Sequence, residues 1–196
     1  MGKEVKSAFE IAMEKLNKVE DSTEAERNEW KYVPEGEQLG VQYIKEEFDL
    51  AGALNKYSGD ARKYVSQGIA EVLIRNIILP KTEAAKKTNK KAMDGIKLIK
   101  NDKAKLDGVY GQIKRLFDHY ATTGEQQRQQ ARESIKEEVE MRLQQAAQQQ
   151  GLSMAGKMDI EKTSQFQGEL RKLLTQLDAQ YLTLLTEYKS ELMKIT

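Results

Sequence analysis

The carboxyl-terminal part of the chain carries an apolar repeat that a long helix accommodates and a strand does not. Large apolar residues recur there at intervals of 4, 3, 4, 4, 3, 4, 4 and 3 positions, which is an eleven-residue repeat. Eleven residues over three turns give a nearly straight helix. The spacing predicts one helix from Asp159 to Ile195. Its expected self-association face consists of Phe166, Leu170, Leu173, Leu177, Tyr181, Leu184, Tyr188 and Leu192.

The rest of the chain shows the same helical periodicity. Charged residues make up 32% of the sequence and aromatic residues 7%, and only two prolines are present, a composition typical of solvent-exposed helices. We predict helices over residues 3–18 and 23–32. Pro34 and Gly36 are expected to end the second helix, and another is predicted from Glu37 to Tyr57. The sequence therefore predicts an all-α fold without a sheet.

A lysine-rich stretch, NKKAMDGIKLIKNDKAKLDGVYGQIKRLFDHY, occupies residues 89–120. Pro80 is expected to open a new helix before it, because proline cannot continue an undistorted helix. With Ile96 at position a, an apolar seam continues over four heptads, and most lysines fall on the solvent side. The seam leaves open whether the helix is continuous through Gly108 and Gly111, since each glycine costs about 1 kcal/mol in a helix interior.

Helix length indicates an elongated molecule. The helix from Asp159 to Ile195 would span roughly 55 Å, and an unbroken one from Lys81 to Tyr120 roughly 60 Å. A compact globule of this chain length is only about 42 Å across. We therefore predict an elongated helical bundle with coiled-coil-like packing, and expect a second copy, most simply in a dimer, to cover the exposed apolar ends.

Charge divides the chain into three predicted segments of one continuous structural unit. They are an acidic helical segment at 1–58, central helices with a lysine-rich face at 59–124, and a helical hairpin at 125–196. Residues 1–60 hold 14 acids and 8 bases, a net of −6, and residues 81–105 hold 9 lysines and 3 acids, a net of +6. The opposite charges are expected to steer assembly with the same or a partner chain.

The residue types in the sequence favour a protein that is not an enzyme and binds neither a metal nor a cofactor. The sequence has no cysteine, and His119 is its one histidine, for which we expect a structural or solvent-facing role. Phosphate-binding and nucleophile-elbow motifs are absent from the sequence. No signal-peptide pattern or stretch of 18 apolar residues appears, so we expect a cytoplasmic protein without a transmembrane segment.

Five motifs, SAFEIAMEK, EWKYVPEGE, NKKAMDGIKLIKND, FDHYA and GEQQRQQA, together resemble an uncharacterised bacterial family classed as a domain of unknown function. The resemblance runs over most of the chain. It implies a bacterial protein and supplies no activity, ligand or catalytic residue.

These observations predict a non-enzymatic scaffold or adaptor that self-associates through amphipathic helices and binds a protein partner. The alternative is a nucleic-acid-associated protein that binds phosphates without sequence preference, because the lysine-rich stretch lacks the interleaved arginines and aromatics that read bases. The polyanion contacts would then be Lys86, Lys87, Lys90, Lys91, Lys97 and Lys100.

Overall fold

A computed structural model describes residues 22–149 and 159–195. Over these residues the chain forms helices and connections without a strand, which confirms the predicted all-α class. The helices are α1 (Glu24–Lys45), α2 (Leu50–Leu54), α3 (Gly59–Arg75), α4 (Glu83–Ile99), α5 (Lys103–Ala121), α6 (Thr123–Gln149), a 3-10 turn (Ile160–Lys162) and α7 (Ser164–Lys194). None of these described helices combines the length and hydropathy that a membrane span requires. The helix predicted over residues 3–18 lies outside the described ranges.

The chain divides into two compact units, each with its own core. The described part of the first unit comprises residues 22–76 and 90–101, and that of the second comprises residues 77–89, 102–149 and 159–195. The division at Asn89 and Lys90 lies within α4, so this helix contributes residues to both units.

Helix α1 of the first unit continues through Pro34 and Gly36, so the prediction that these residues end a helix is wrong. The reason is a close contact with α3. A Cβ atom on Gly36 would lie 2.1 Å from the carbonyl oxygen of Val65, and one on Gly68 would lie 2.1 Å from the carbonyl oxygen of Val33. Only residues without Cβ let two backbones approach this closely. This packing outweighs the helix-breaking tendency of the proline and glycine.

The end of α1 and the segment after it also differ from the sequence prediction. As predicted, α1 begins with a capping box in which Thr23 and Glu26 bond reciprocally. It ends at Lys45, and the Asp49 side chain accepts a hydrogen bond from the Gly52 amide at 2.9 Å to cap the short helix α2. The single helix predicted over residues 37–57 is therefore wrong, because an aspartate cap starts a new helix within it.

The second half of α4 completes the core of the first unit. Ala92, Met93 and Ile96 are buried there. A Cβ atom on Gly95 would lie 2.6 Å from the Tyr43 ring and 2.7 Å from the Leu73 side chain, so α4 packs tightly against side chains of α1 and α3.

The predicted four-heptad seam is interrupted between α4 and α5. Residues 100–102 are not helical, and the Asp102 side chain accepts a hydrogen bond from the Lys105 amide at 3.1 Å to cap α5. By contrast, α5 runs without a break through Gly108 and Gly111, where added Cβ atoms would meet nothing within 4 Å. The break thus lies at the aspartate cap and away from the glycines.

Helices α5, α6 and α7 pack together in the second unit. Ile135 and Val139 of α6 form a buried cluster with Ile160 and with Phe166 of α7. On the surface beside this cluster, Arg142 of α6 forms a bidentate ion pair with Glu169 of α7, with N–O distances of 2.9 and 2.8 Å.

A buried polar residue of α4, Asn89, connects that helix to the segment before it. Asn89 is only 3% exposed, and its amide accepts a hydrogen bond from the Ile78 N–H at 2.9 Å and donates one to the Ile78 carbonyl at 2.7 Å. Both polar atoms of the buried side chain are therefore satisfied, and they bond the segment that carries Pro80 and Lys81 to α4.

Candidate functional site

The second unit contains a buried carboxylate, Asp178 of α7, which is 7% exposed. Lys81 Nζ lies 2.5 Å from its Oδ2 atom, and the Tyr120 hydroxyl donates to its Oδ1 atom at 3.0 Å. Arg128 of α6 adds a longer ion pair, with Nη1 at 3.9 Å from Oδ1. Because a buried charge is costly unless it is paired and hydrogen-bonded, the two hydrogen-bond donors together with the charge of Arg128 account for the burial of this carboxylate.

Arg128 lies at the centre of this cluster and is itself 17% exposed. Its guanidinium lies 4.1 Å from the centre of the Tyr120 ring. It donates to Glu125 through Nε at 3.1 Å and through Nη2 at 2.8 Å, and to the Tyr120 carbonyl at 3.0 Å. Nη1 donates no hydrogen bond to any residue in the described ranges. The arginine is therefore fixed in orientation with one NH₂ group still able to donate.

The aromatic residues beside Asp178 form hydrogen bonds and ring contacts. Burial and the hydrogen bond to Asp178 raise the pKa of Tyr120 to about 12, so its phenol is neutral at physiological pH and donates a hydrogen bond. Its ring packs edge-on against that of Tyr181, with centroids 5.0 Å apart. The Tyr181 hydroxyl lies 3.0 Å from Nδ1 of His119, the one histidine, which is exposed to solvent.

A cavity of about 600 Å³ adjoins the cluster, and all the residues that line it belong to the second unit. Four of its lining residues are cationic, two are carboxylates, and the others are polar or apolar. Within the described parts of the chain, no group of three or more His, Asp or Glu side chains is placed to hold a metal ion. The chemistry of the lining is therefore that of hydrogen-bond donors and positive charge beside an apolar wall.

The predicted self-association face of α7 is only partly available at the surface. Phe166, Tyr181 and Leu192 are buried inside the second unit. The other five residues, Leu170, Leu173, Leu177, Leu184 and Tyr188, are half-buried or exposed. Among these Leu184 is the most accessible, at 41%.

The six lysines predicted to contact a polyanion are divided between the two units. Lys86 and Lys87 belong to the second unit and the other four to the first. Three of the six have contacts with acidic residues or a carbonyl: Lys86 pairs with Glu83 at 2.6 Å, Lys91 donates to the Glu46 carbonyl at 2.5 Å, and Lys97 pairs with Asp94 at 3.7 Å. Partial burial lowers the pKa of Lys100. Lys87 and Lys90 are exposed.

Sequence reasoning missed the Asp178 cluster. Its residues come from four separate parts of the chain, and residues as distant as Lys81 and Asp178 are 97 positions apart. One signal was present. Asp178 lies among apolar residues of α7, between Leu177 and Tyr181, where an acid without a partner is unfavourable.

Comparison with known proteins identifies a family and gives no relative of established activity. A family model described as a family of unknown function (DUF6657) matches residues 51–194. Three of the five motifs, NKKAMDGIKLIKND, FDHYA and GEQQRQQA, lie within the matched range, which confirms the resemblance to a family of unknown function. Neither the curated proteins nor the solved structures gave a significant match.

Proposed function

The chain belongs to the family of unknown function DUF6657, and we propose that it is a non-enzymatic helical scaffold or adaptor that self-associates through α7. A dimer is the simplest assembly, because the same face of two copies can pair around a two-fold axis. A coiled-coil-like contact, a further protein partner and a cytoplasmic location are parts of the same proposal.

The observation that supports it is an apolar row on one side of α7, which we call the α7 flank. It consists of Leu173, Leu177, Leu184 and Tyr188, separated by 4, 7 and 4 positions. Such spacing aligns side chains along one side of a helix. Leu184 is 41% exposed and the other three are half-buried, so the row is not fully covered within the second unit. A second copy could bury it.

The test compares two leucines on opposite sides of α7. We expect Leu184→Glu to shift the protein toward monomer in sedimentation velocity, because it places a charge in the proposed interface. Leu182→Glu is the matched control, since Leu182 is 49% exposed and lies two positions, or roughly 200° around the helix, from Leu184.

Two outcomes of that comparison would contradict the proposal. The first is a wild-type protein that sediments as a monomer at all concentrations. The second is a loss of association in the Leu182→Glu variant and not in the Leu184→Glu variant, which would place the interface on the other side of the helix.

The alternative, nonspecific association with nucleic acid through the six lysines, stays a prediction. It has less support, because several of those lysines are already engaged by Glu83, Asp94 and the Glu46 carbonyl. Exposed Lys87 and Lys90 are the side chains most available for it.

A further inference from the structure

The cavity beside Asp178 has a surplus of positive charge. Lys81, Lys86, Arg128 and Arg171 line it, against the carboxylates of Glu125 and Asp178. Four positive and two negative side chains give the lining a formal net charge of +2. A cavity wall with low-dielectric surroundings concentrates this charge, so an anion is the favoured type of occupant.

Three of these cations keep donors that protein groups do not use. Lys81 Nζ bonds to Asp178 alone among the described residues, which occupies one of its three N–H groups. Nη1 of Arg128 lies 3.9 Å from Asp178, beyond hydrogen-bond distance. The guanidinium of Arg171 is exposed and forms no ion pair within the described ranges. The two carboxylates thus orient Lys81 and Arg128 and leave N–H groups for an oxyanion.

The fourth cation, Lys86, differs from the other three because it forms an ion pair with a residue outside the cavity. Lys86 is held by Glu83, which does not line the cavity, at 2.6 Å. It adds positive charge to the rim, and the exposed pair with Glu83 partly offsets that charge. The oxyanion contacts are therefore expected from Lys81, Arg128 and Arg171 rather than from Lys86.

Size and the remaining lining define the class of ligand. A volume of about 600 Å³ lies within the usual range of roughly 300–1,000 Å³ for small-molecule sites. Pro80, Leu170 and Leu174 form an apolar part of the wall. We propose that this cavity binds a small organic molecule that carries a phosphate or carboxylate group and places a less polar portion against these three residues.

This site is separate from the α7 flank proposed for self-association. Asp178 precedes Leu184 by six residues, which places the two side chains roughly 120° apart around the helix. A variant that abolishes one property can therefore leave the other intact, and the failure of one proposal does not decide the other.

Isothermal titration calorimetry of the full chain at low ionic strength tests the proposal with three probes: inorganic phosphate, pyrophosphate and citrate. We expect saturable binding of at least one probe. Arg171→Gln should weaken it roughly tenfold, because a charge-assisted hydrogen bond is lost. Lys172→Gln is the matched control, since Lys172 is the exposed neighbour on the same helix and does not line the cavity. It should change the affinity less than twofold.

A second pair of variants, both on α4, tests the same cavity without a change in α7. Lys86→Gln should weaken binding through the loss of rim charge, and Lys87→Gln, one position along α4 and outside the cavity, should not. Saturable binding would support the site. The affinities for the two phosphate probes and for citrate would then show whether the site prefers a phosphate or a carboxylate group. Absence of saturable binding by all three probes, or equal weakening by Arg171→Gln and Lys172→Gln, would overturn the proposal.

Discussion

The surroundings of Tyr120 change its acid–base behaviour. It is 3% exposed, and burial together with its hydrogen bond to Asp178 raises its pKa to about 12. In the unfolded chain a tyrosine has a pKa of about 10. Between these values the unfolded state loses the phenolic proton while the folded state retains it. The contribution of Tyr120 to stability is therefore fully present below pH 10 and is lost as the pH rises toward 12.

We expect a tyrosine absorbance titration at 295 nm to show a component near pH 12 that disappears in Tyr120→Phe. The free energy of unfolding should also fall less steeply between pH 10 and 12 in that variant than in the wild type. Tyr64→Phe is the control, because that residue is only half-buried and far from Asp178 in sequence. An unchanged high-pH component in Tyr120→Phe would contradict the assignment.

Asn89 shows what sequence reasoning can and cannot reach for a single residue. Its place at an a position of the heptad predicts a polar residue that lowers stability and fixes the register. The structure gives it a more specific contact, because its amide bonds both the N–H and the carbonyl of Ile78. The heptad pattern marks the residue as unusual, but the partner lies in a non-helical segment that the pattern does not describe.

At the scale of the element, apolar periodicity predicted the helical class and most helix positions, and it failed at boundaries. It missed the breaks before Asp49 and Asp102 because an aspartate cap is a local hydrogen bond that leaves the apolar spacing nearly unchanged. It wrongly ended a helix at Pro34 and Gly36 because the contact that preserves the helix involves Val65 of another helix. Tertiary contacts of this kind are not encoded in local spacing.

Replacement by alanine is predicted to have opposite effects on stability at Gly68 of α3 and at Gly108 of α5. Gly68→Ala should destabilise the first unit by about 1–3 kcal/mol or more, because the added methyl would overlap the Val33 carbonyl. Gly108→Ala should stabilise the second unit by about 0.5–1 kcal/mol, since nothing lies within 4 Å and alanine favours the helix.

Chemical denaturation monitored by circular dichroism measures both effects. The two variants serve as controls for each other, since each replaces a glycine inside a helix by alanine. Equal shifts of the same sign would contradict the assignment of Gly68 to a backbone contact.

At the scale of the whole molecule, the two units should respond separately to core truncation. Ile96 and Ile113 are both 0% exposed, the first in the first unit and the second in α5 of the second unit. Truncation of a buried isoleucine to alanine costs about 2–5 kcal/mol. We expect Ile96→Ala to reduce amide protection mainly in α1 and α3, and Ile113→Ala to reduce it mainly in α6 and α7.

Native-state hydrogen exchange read by mass spectrometry gives the protection of each helix in both variants. Loss of protection spread equally over α1, α3, α6 and α7 in either variant would show that the described chain unfolds as one cooperative unit, contrary to the prediction.

The candidate site illustrates the limit of sequence reasoning for the molecule as a whole. Helix α7 was predicted together with its apolar face, and the exposed part of that face supports the proposed assembly. The cavity requires Lys81, Arg128 and Asp178 to meet from three distant segments. With a single sequence, no spacing rule joins them, because their proximity follows from how the helices pack.

The shared helix α4 has a consequence for the order in which the protein can be completed during synthesis. Residues 22–76 leave the ribosome before Ala92, Met93 and Ile96, which complete the core of their unit. At typical elongation rates of about 5–20 residues per second, translation from residue 76 to residue 101 takes roughly 1–5 s. During that interval the nascent chain carries an apolar surface on α3, around Leu73, that its own later residues have not yet covered.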